Sequence, residues 1–147
     1  MNWVLPYLVL IHLLGLALAL GAASVKVALL LRCKVDRSFI DTYLKVVRPI
    51  TRQLIAGLVL LTLTGVGWLL LGYPLTRLLW VKLALVATIW VLGPIIDNVA
   101  EPRFRRFAPV AGASPSAEFV RAERAYLALE TTATATFYFI VGVWVFR

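Results

Sequence analysis

The chain has 147 residues, 62% of them hydrophobic, and a formal net charge of +8. Several apolar stretches reach the roughly twenty residues that a bilayer core of about 30 Å demands, so the sequence reads as an integral membrane protein without a separate soluble catalytic domain. Its basic residues flank apolar spans in two loops, a positive-inside pattern rather than a nucleic-acid surface, and the single cysteine, Cys33, excludes an intramolecular disulfide or a Cys-pair metal motif.

The expected fold is all-α: one membrane domain over 1–147, a four-transmembrane-helix antiparallel bundle with a short interfacial helix between its first two spans. The first span, about 3–32, would be about 43 Å long and must tilt or project from the hydrocarbon. Gly21, Ala22, Ala23 and Ser24 are small enough for a signal-peptide cleavage site, but no Lys or Arg precedes the apolar run, which continues past them, so a retained helix is expected. On its helical wheel His12, Gly15, Ala19, Ala23 and Lys26 fall within about 80°. That stripe must face protein, because an imidazole or ammonium alone in hydrocarbon costs several kcal/mol.

Arg32, Lys34 and Arg37 end the first span. Ser38 and Asp41 have capping-box-like spacing, and Phe39, Ile40, Tyr43, Leu44 and Val47 recur with helical period until Pro49, which predicts the interfacial helix over 39–48. The second span, about 52–72, gathers Gln53, Gly57, Thr64, Gly67 and Trp68 within about 100° of its wheel, a small-residue face suited to close helix contact. Gly72, Tyr73 and Pro74 make a short turn, so the second and third helices are expected to be antiparallel neighbours.

The third span, about 78–98, carries Lys82, Gly93 and Asp97 within about 60°, with a kink expected at Pro94. A basic loop with Pro102, Arg103, Arg105, Arg106, Pro109, Gly112 and Pro115 follows, and Ser114 and Pro115 are expected to start the last helix. That helix extends from about 115 and crosses the membrane over about 126–146, with Glu130, Thr134 and Phe137 on one face. Part of the run Thr131, Thr132, Thr134, Thr136 must face other helices.

Six Lys or Arg lie between Arg32 and Arg52 and five between Glu101 and Arg124, against only Arg77 and Arg147 on the opposite side. Both termini are therefore expected outside the cytoplasm of a bacterial-type inner membrane, where Trp3, Tyr7, Trp68, Tyr73, Trp80 and Trp144 would form an outer aromatic belt. His12 and Lys82 fall in the outer half, and Lys26, Asp97 and Glu130 in the inner half. Lys26 and Glu130 are each six residues from a basic boundary residue, Arg32 and Arg124, so matched depth predicts that they pair.

No HExxH, CxxC, phosphate-loop or nucleophile-elbow motif is present. His12 remains the candidate for chemistry, since a buried neutral imidazole can ligate haem iron or another metal when its second nitrogen has a partner. With one histidine, haem would be five-coordinate, take an unusual second ligand, or bridge two copies of the chain in a homodimer. Alternatively, His12 hydrogen-bonds a threonine or backbone carbonyl. Lys82 either snorkels or holds a propionate or another anionic group.

His12 in the first span, Gly65 to Trp68 before the Tyr73 turn, and Trp80-Val81-Lys82-Leu83 opening the third span resemble the membrane superfamily that contains the HemJ protoporphyrinogen oxidases and the CopD-like copper-resistance proteins. The resemblance covers about the first two-thirds of the chain. It implies haem b or a porphyrin as ligand, with His12 matching the first-helix histidine associated with haem and Lys82 the lysine of the Trp-x-Lys pattern. Members generally carry more histidine or methionine, and this chain has neither after His12. Partners implied are the lipid bilayer, a porphyrin or small apolar ligand and a second copy, but no nucleic acid. Two other readings remain open: a structural or assembly subunit locked by its polar residues, and a small transporter or proton pathway through Lys26, Asp97 and Glu130.

Overall fold

A computed structural model describes residues 3–109 and 113–145, with side chains as far as residue 142. Among these residues the chain is helical throughout apart from turns. Helix α1 runs Val4–Val35, a 3-10 turn Arg37–Phe39 follows, and α2 runs Ile40–Leu70. Helix α3, Arg77–Ile95, continues through a π turn, Ile96–Ala100, into α4, Glu101–Phe107, and α5 spans Ala117–Val145. Three described helical stretches are long and apolar enough to cross a membrane: Val4–Val35, Arg37–Leu70 and Arg77–Phe107.

The interfacial helix expected over 39–48 is not a separate element, because the chain stays helical through Pro49. Proline inside a helix costs a hydrogen bond and a steric clash of about 3 kcal/mol. Here Tyr43, Val47 and Leu58 are buried along α2 on both sides of the proline, so packing continuous across residue 49 offsets the local cost. Arg105 also donates to the Leu44 carbonyl at 3.3 Å, beside the Lys45 carbonyl that Pro49 leaves without its N–H.

At Pro94 the expected kink is resolved as a widened turn. The π turn begins two residues later, and Asn98 Nδ2 donates to the Pro94 carbonyl at 2.9 Å. The caps also differ from the sequence reading. Asp36, rather than a Ser38–Asp41 box, accepts from the Ser38 N–H at 3.0 Å and hydroxyl at 2.6 Å. Ser116, rather than Ser114, caps α5 by accepting from the Phe119 N–H at 3.1 Å. Thr76 caps α3 in the same way through the Leu79 N–H.

Helices α1 and α2 form the tightest pair. At their crossing a Cβ added to Gly57 would stand 2.5 Å from the Ala19 nitrogen and 2.7 Å from the Gly15 carbonyl oxygen, so only glycine lets the backbones meet. The rest of the small-residue face is less uniform than its wheel. Gln53 is exposed, Gly65 faces open space, and Gly67 lies against Leu8. Although α2 and α3 are joined by a short turn, α3 packs chiefly on α5, and one hydrogen bond from Trp90 Nε1 to Thr62 Oγ1, 3.1 Å, reaches across to α2.

The core is concentrated where the basic segments gather: Leu30, Cys33, Ile40, Tyr43, Val47, Ile96, Ala100, Phe104, Phe119 and Tyr126 are packed together. A smaller cluster of Ala19, Ala23, Leu58, Ile89 and Phe137 lies nearer the other end. Leu5, Leu10, Leu13, Leu14, Leu63, Leu70, Trp80 and Val91 are exposed. Exposed apolar helix faces of this extent require a non-aqueous surrounding or a partner.

Candidate functional site

His12 sits half-buried on the inward face of α1, one turn before Gly15. Its Nδ1 lies 2.7 Å from Thr64 Oγ1 of α2. The threonine hydroxyl has one hydrogen, and the Leu60 carbonyl is 2.7 Å away, with Leu61 O at 3.1 Å. With the hydroxyl hydrogen on the Leu60 carbonyl, Thr64 accepts from His12 Nδ1 and Nε2 is the unprotonated nitrogen of the neutral ring; with that hydrogen turned to the imidazole, the roles reverse. This is the threonine bond expected of His12 as the alternative to a ligand role, and a ligating histidine with a supporting partner would make the same bond.

Trp68, one turn beyond Thr64, stacks on the imidazole at 5.6 Å between centroids and 21° between planes. Tyr73 follows at 5.8 Å from Trp68. The buried Trp68 Nε1 has no hydrogen-bond acceptor among the described residues. Lys82, on α3 and half-buried, is close enough for its charge to act on His12. The structure thus gathers His12, Thr64, Trp68 and Lys82. Trp3, Tyr7 and Trp80 are exposed around the same end, while the Trp144 side chain lies outside the described residues.

The second polar layer lies toward the basic end. Lys26 Nζ is 2.6 Å from Glu130 Oε1 and 3.5 Å from Asp97 Oδ1. Lys26 and Glu130 are almost wholly buried, whereas the Asp97 side chain is about 30% exposed. The Lys26–Glu130 approach is a Coulombic contact poorly aligned for a directed hydrogen bond, since Oε1 has no acceptor geometry that satisfies one. Lys26 also lies over the Tyr126 ring at 5.7 Å.

Three further contacts here were not read from sequence. Tyr43 and Tyr126 hydroxyls meet at 2.7 Å, fully buried. Arg37 clasps the buried Glu123 with both guanidinium nitrogens and stacks over Phe119. Arg105 bonds Glu101 at 3.2 Å. The helical spacing of Glu101 and Arg105 could have signalled the last of these; the first two join residues more than eighty positions apart and carry no local signal.

Among the described residues no cluster of three His, Cys, Asp or Glu side chains forms a metal cage. Open apolar grooves among the described residues include one of about 790 Å³ along α5 lined by Leu85, Arg124, Thr131, Thr132 and Phe139, and one of about 520 Å³ between α1 and α5 ending at Ser24 and Tyr138. His12 borders neither. Compared with models of known families, with curated proteins and with solved structures, the chain has no significant match.

Proposed function

We propose that this chain is a four-span inner-membrane protein of the HemJ or CopD-like type, with α5 as the fourth span, both termini outside the cytoplasm, and a haem or porphyrin site at His12. The observation that carries the reading is the hydrogen-bond chain from His12 Nδ1 through Thr64 to the Leu60 carbonyl. With the proton on Nδ1, Nε2 is the nitrogen left for a ligand, and the bond to Thr64 makes the imidazole a better donor.

The support for haem is the donor chemistry of the side chains around His12. His12 Nε2 would hold the iron, and the unpartnered Trp68 N–H and the Lys82 ammonium are the donors suited to its carboxylates. A bound haem supplies one-electron exchange. Thr64 holds the imidazole tautomer, and Trp68 stacked on the ring limits its rotation. An oxidoreductase role of the protoporphyrinogen-oxidase type rests on the same site.

The test is an absorption spectrum of detergent-purified protein, oxidised and reduced, expressed with haem supplied. A Soret band lost in His12→Ala is the expected result. A colourless wild-type protein, or stoichiometric haem retained by His12→Ala, overturns the assignment. The Gly15–Gly57 crossing and the buried Lys26–Glu130 contact favour a second reading, an assembly subunit stabilised by these contacts, which predicts the colourless outcome.

A further inference from the structure

The inner polar layer is independent of His12 and holds an imbalance of charge. Two carboxylates, Asp97 and Glu130, share the one ammonium of Lys26. The charges acting on Glu130 are Lys26 from α1, Asp97 from the π turn and Glu101 from α4, and Glu101 is itself engaged by Arg105. The Tyr43 and Tyr126 phenols near it on α2 and α5 are bonded to each other. One turn from Glu130 on the same helix face, Thr134 is 8% exposed, and its hydroxyl has no hydrogen-bond partner. A buried group with excess negative charge beside an orphaned hydroxyl calls for a proton or a proton-bearing water.

We infer that Asp97, Lys26, Glu130 and Thr134 form a proton-exchange site opening at the basic end of the bundle. Asp97 is the admitting group: it is the partly exposed member, it sits on the π turn, and it lies six residues, about 9 Å, from Arg103. π turns recur at functional positions because the widened turn re-aims a side chain. A proton from water first forms the carboxylic O–H of Asp97, which releases Lys26 to pair with Glu130 alone. The Lys26 ammonium then gives one proton to Glu130, forming its O–H and a neutral amine. Asp97 returns a proton to that amine, so the lysine ends as an ammonium paired with the Asp97 carboxylate. The net change is one proton moved from water to Glu130, with Asp97 and Lys26 returned to their starting charges, and Thr134 Oγ1 is the acceptor at hand for the new O–H.

The experiment is infrared difference spectroscopy of the full chain in detergent, titrated with pH and followed by exchange into heavy water. Wild type should show the C=O band of a buried carboxylic acid that grows as pH falls. Glu130→Gln should lose this band, and so should Lys26→Met/Glu130→Gln, which removes the buried ammonium together with its closer partner and guards against misfolding of the single variant. Thr134→Val should shift the band, since the bonding of the O–H changes. Asp97→Asn should retain the band but slow its hydrogen–deuterium exchange about a hundredfold, the size of effect typical of a lost proton-transfer group. No titrating band in folded wild type, a band that persists in both Glu130 variants, or an unchanged exchange rate in Asp97→Asn overturns the inference. Haem occupancy at His12 does not enter any of these readouts.

Discussion

Gly57 of α2 meets Ala19 of α1 so closely that a β-carbon on Gly57 would stand 2.5 Å from the Ala19 nitrogen. Backbone, which cannot swing aside, is what the added carbon would strike. Gly57→Ala should therefore force the two helices apart and destabilise the protein by about 1–3 kcal/mol, the range for overpacking a filled contact. Gly65→Ala meets open space and should be neutral or stabilising by up to about 1 kcal/mol through helix propensity. Unfolding curves of the two variants in mixed detergent check the contrast; equal losses would mean that the crossing is looser than described.

Lys26 is the only cation within ion-pair distance of Glu130 among the described residues. Lys26→Met should cost about 3–5 kcal/mol, because it leaves a buried carboxylate without compensation. Lys26→Met/Glu130→Gln should recover most of that loss, since neither charge remains. A double-mutant cycle on unfolding free energies gives the coupling, and additive losses would show that the pair does not interact.

Thr64→Val removes the hydroxyl that His12 Nδ1 meets while nearly preserving volume. With haem supplied, the variant should bind it about 10–100-fold more weakly than wild type, as loss of a partner behind a ligating histidine does. Haem titration followed at the Soret band measures this. An unchanged affinity would leave the Thr64 contact a packing feature only.

Outside the spans, the Asp36 carboxyl is held below its ordinary range chiefly by the Ser38 hydroxyl, then by the Ser38 N–H, both donating to the charged form. A group whose folded value is depressed contributes above its unfolded value and loses that contribution as pH falls through the folded value. The 3-10 turn joining α1 and α2 should thus be intact at neutral pH and loosen only in acid below the ordinary aspartate range. Amide exchange at Ser38, followed against pH, should accelerate there, and Asp36→Ala should show the fast exchange at every pH.

Much of this architecture was legible because a helix's fixed rise and turn convert the spacing of apolar and small residues into length and a buried face. The run from Trp3 to Leu31 announced α1, and the stripe of Gly15, Ala19, Ala23 and Lys26 announced its buried face. Lys26 and Glu130 could be matched by their distances from Arg32 and Arg124, since helices of one thickness place equal offsets at equal depth. Helix breaks were less legible. Pro49 signals an end to the interfacial helix locally, yet it lies inside α2, where side-chain packing outweighs the loss of one backbone bond, whereas the kink expected at Pro94 appears as the π turn just beyond it.

By itself, then, the sequence determined an all-α chain with apolar helices of membrane length, four expected where three described stretches meet that measure, a small-residue face on α1, and the two levels along the helices at which polar side chains gather. Each follows from spacing along one helix, which a fixed rise and turn convert directly into position. Only the tertiary structure decided that α3 leans on α5 rather than α2, that Thr64 is the residue His12 meets, and that Asp97 joins Lys26 and Glu130. Those relations depend on how separate helices rotate and slide against one another. Contacts as specific as the Gly15–Gly57 approach, made between residues far apart in the chain, set that rotation, and no local pattern encodes it.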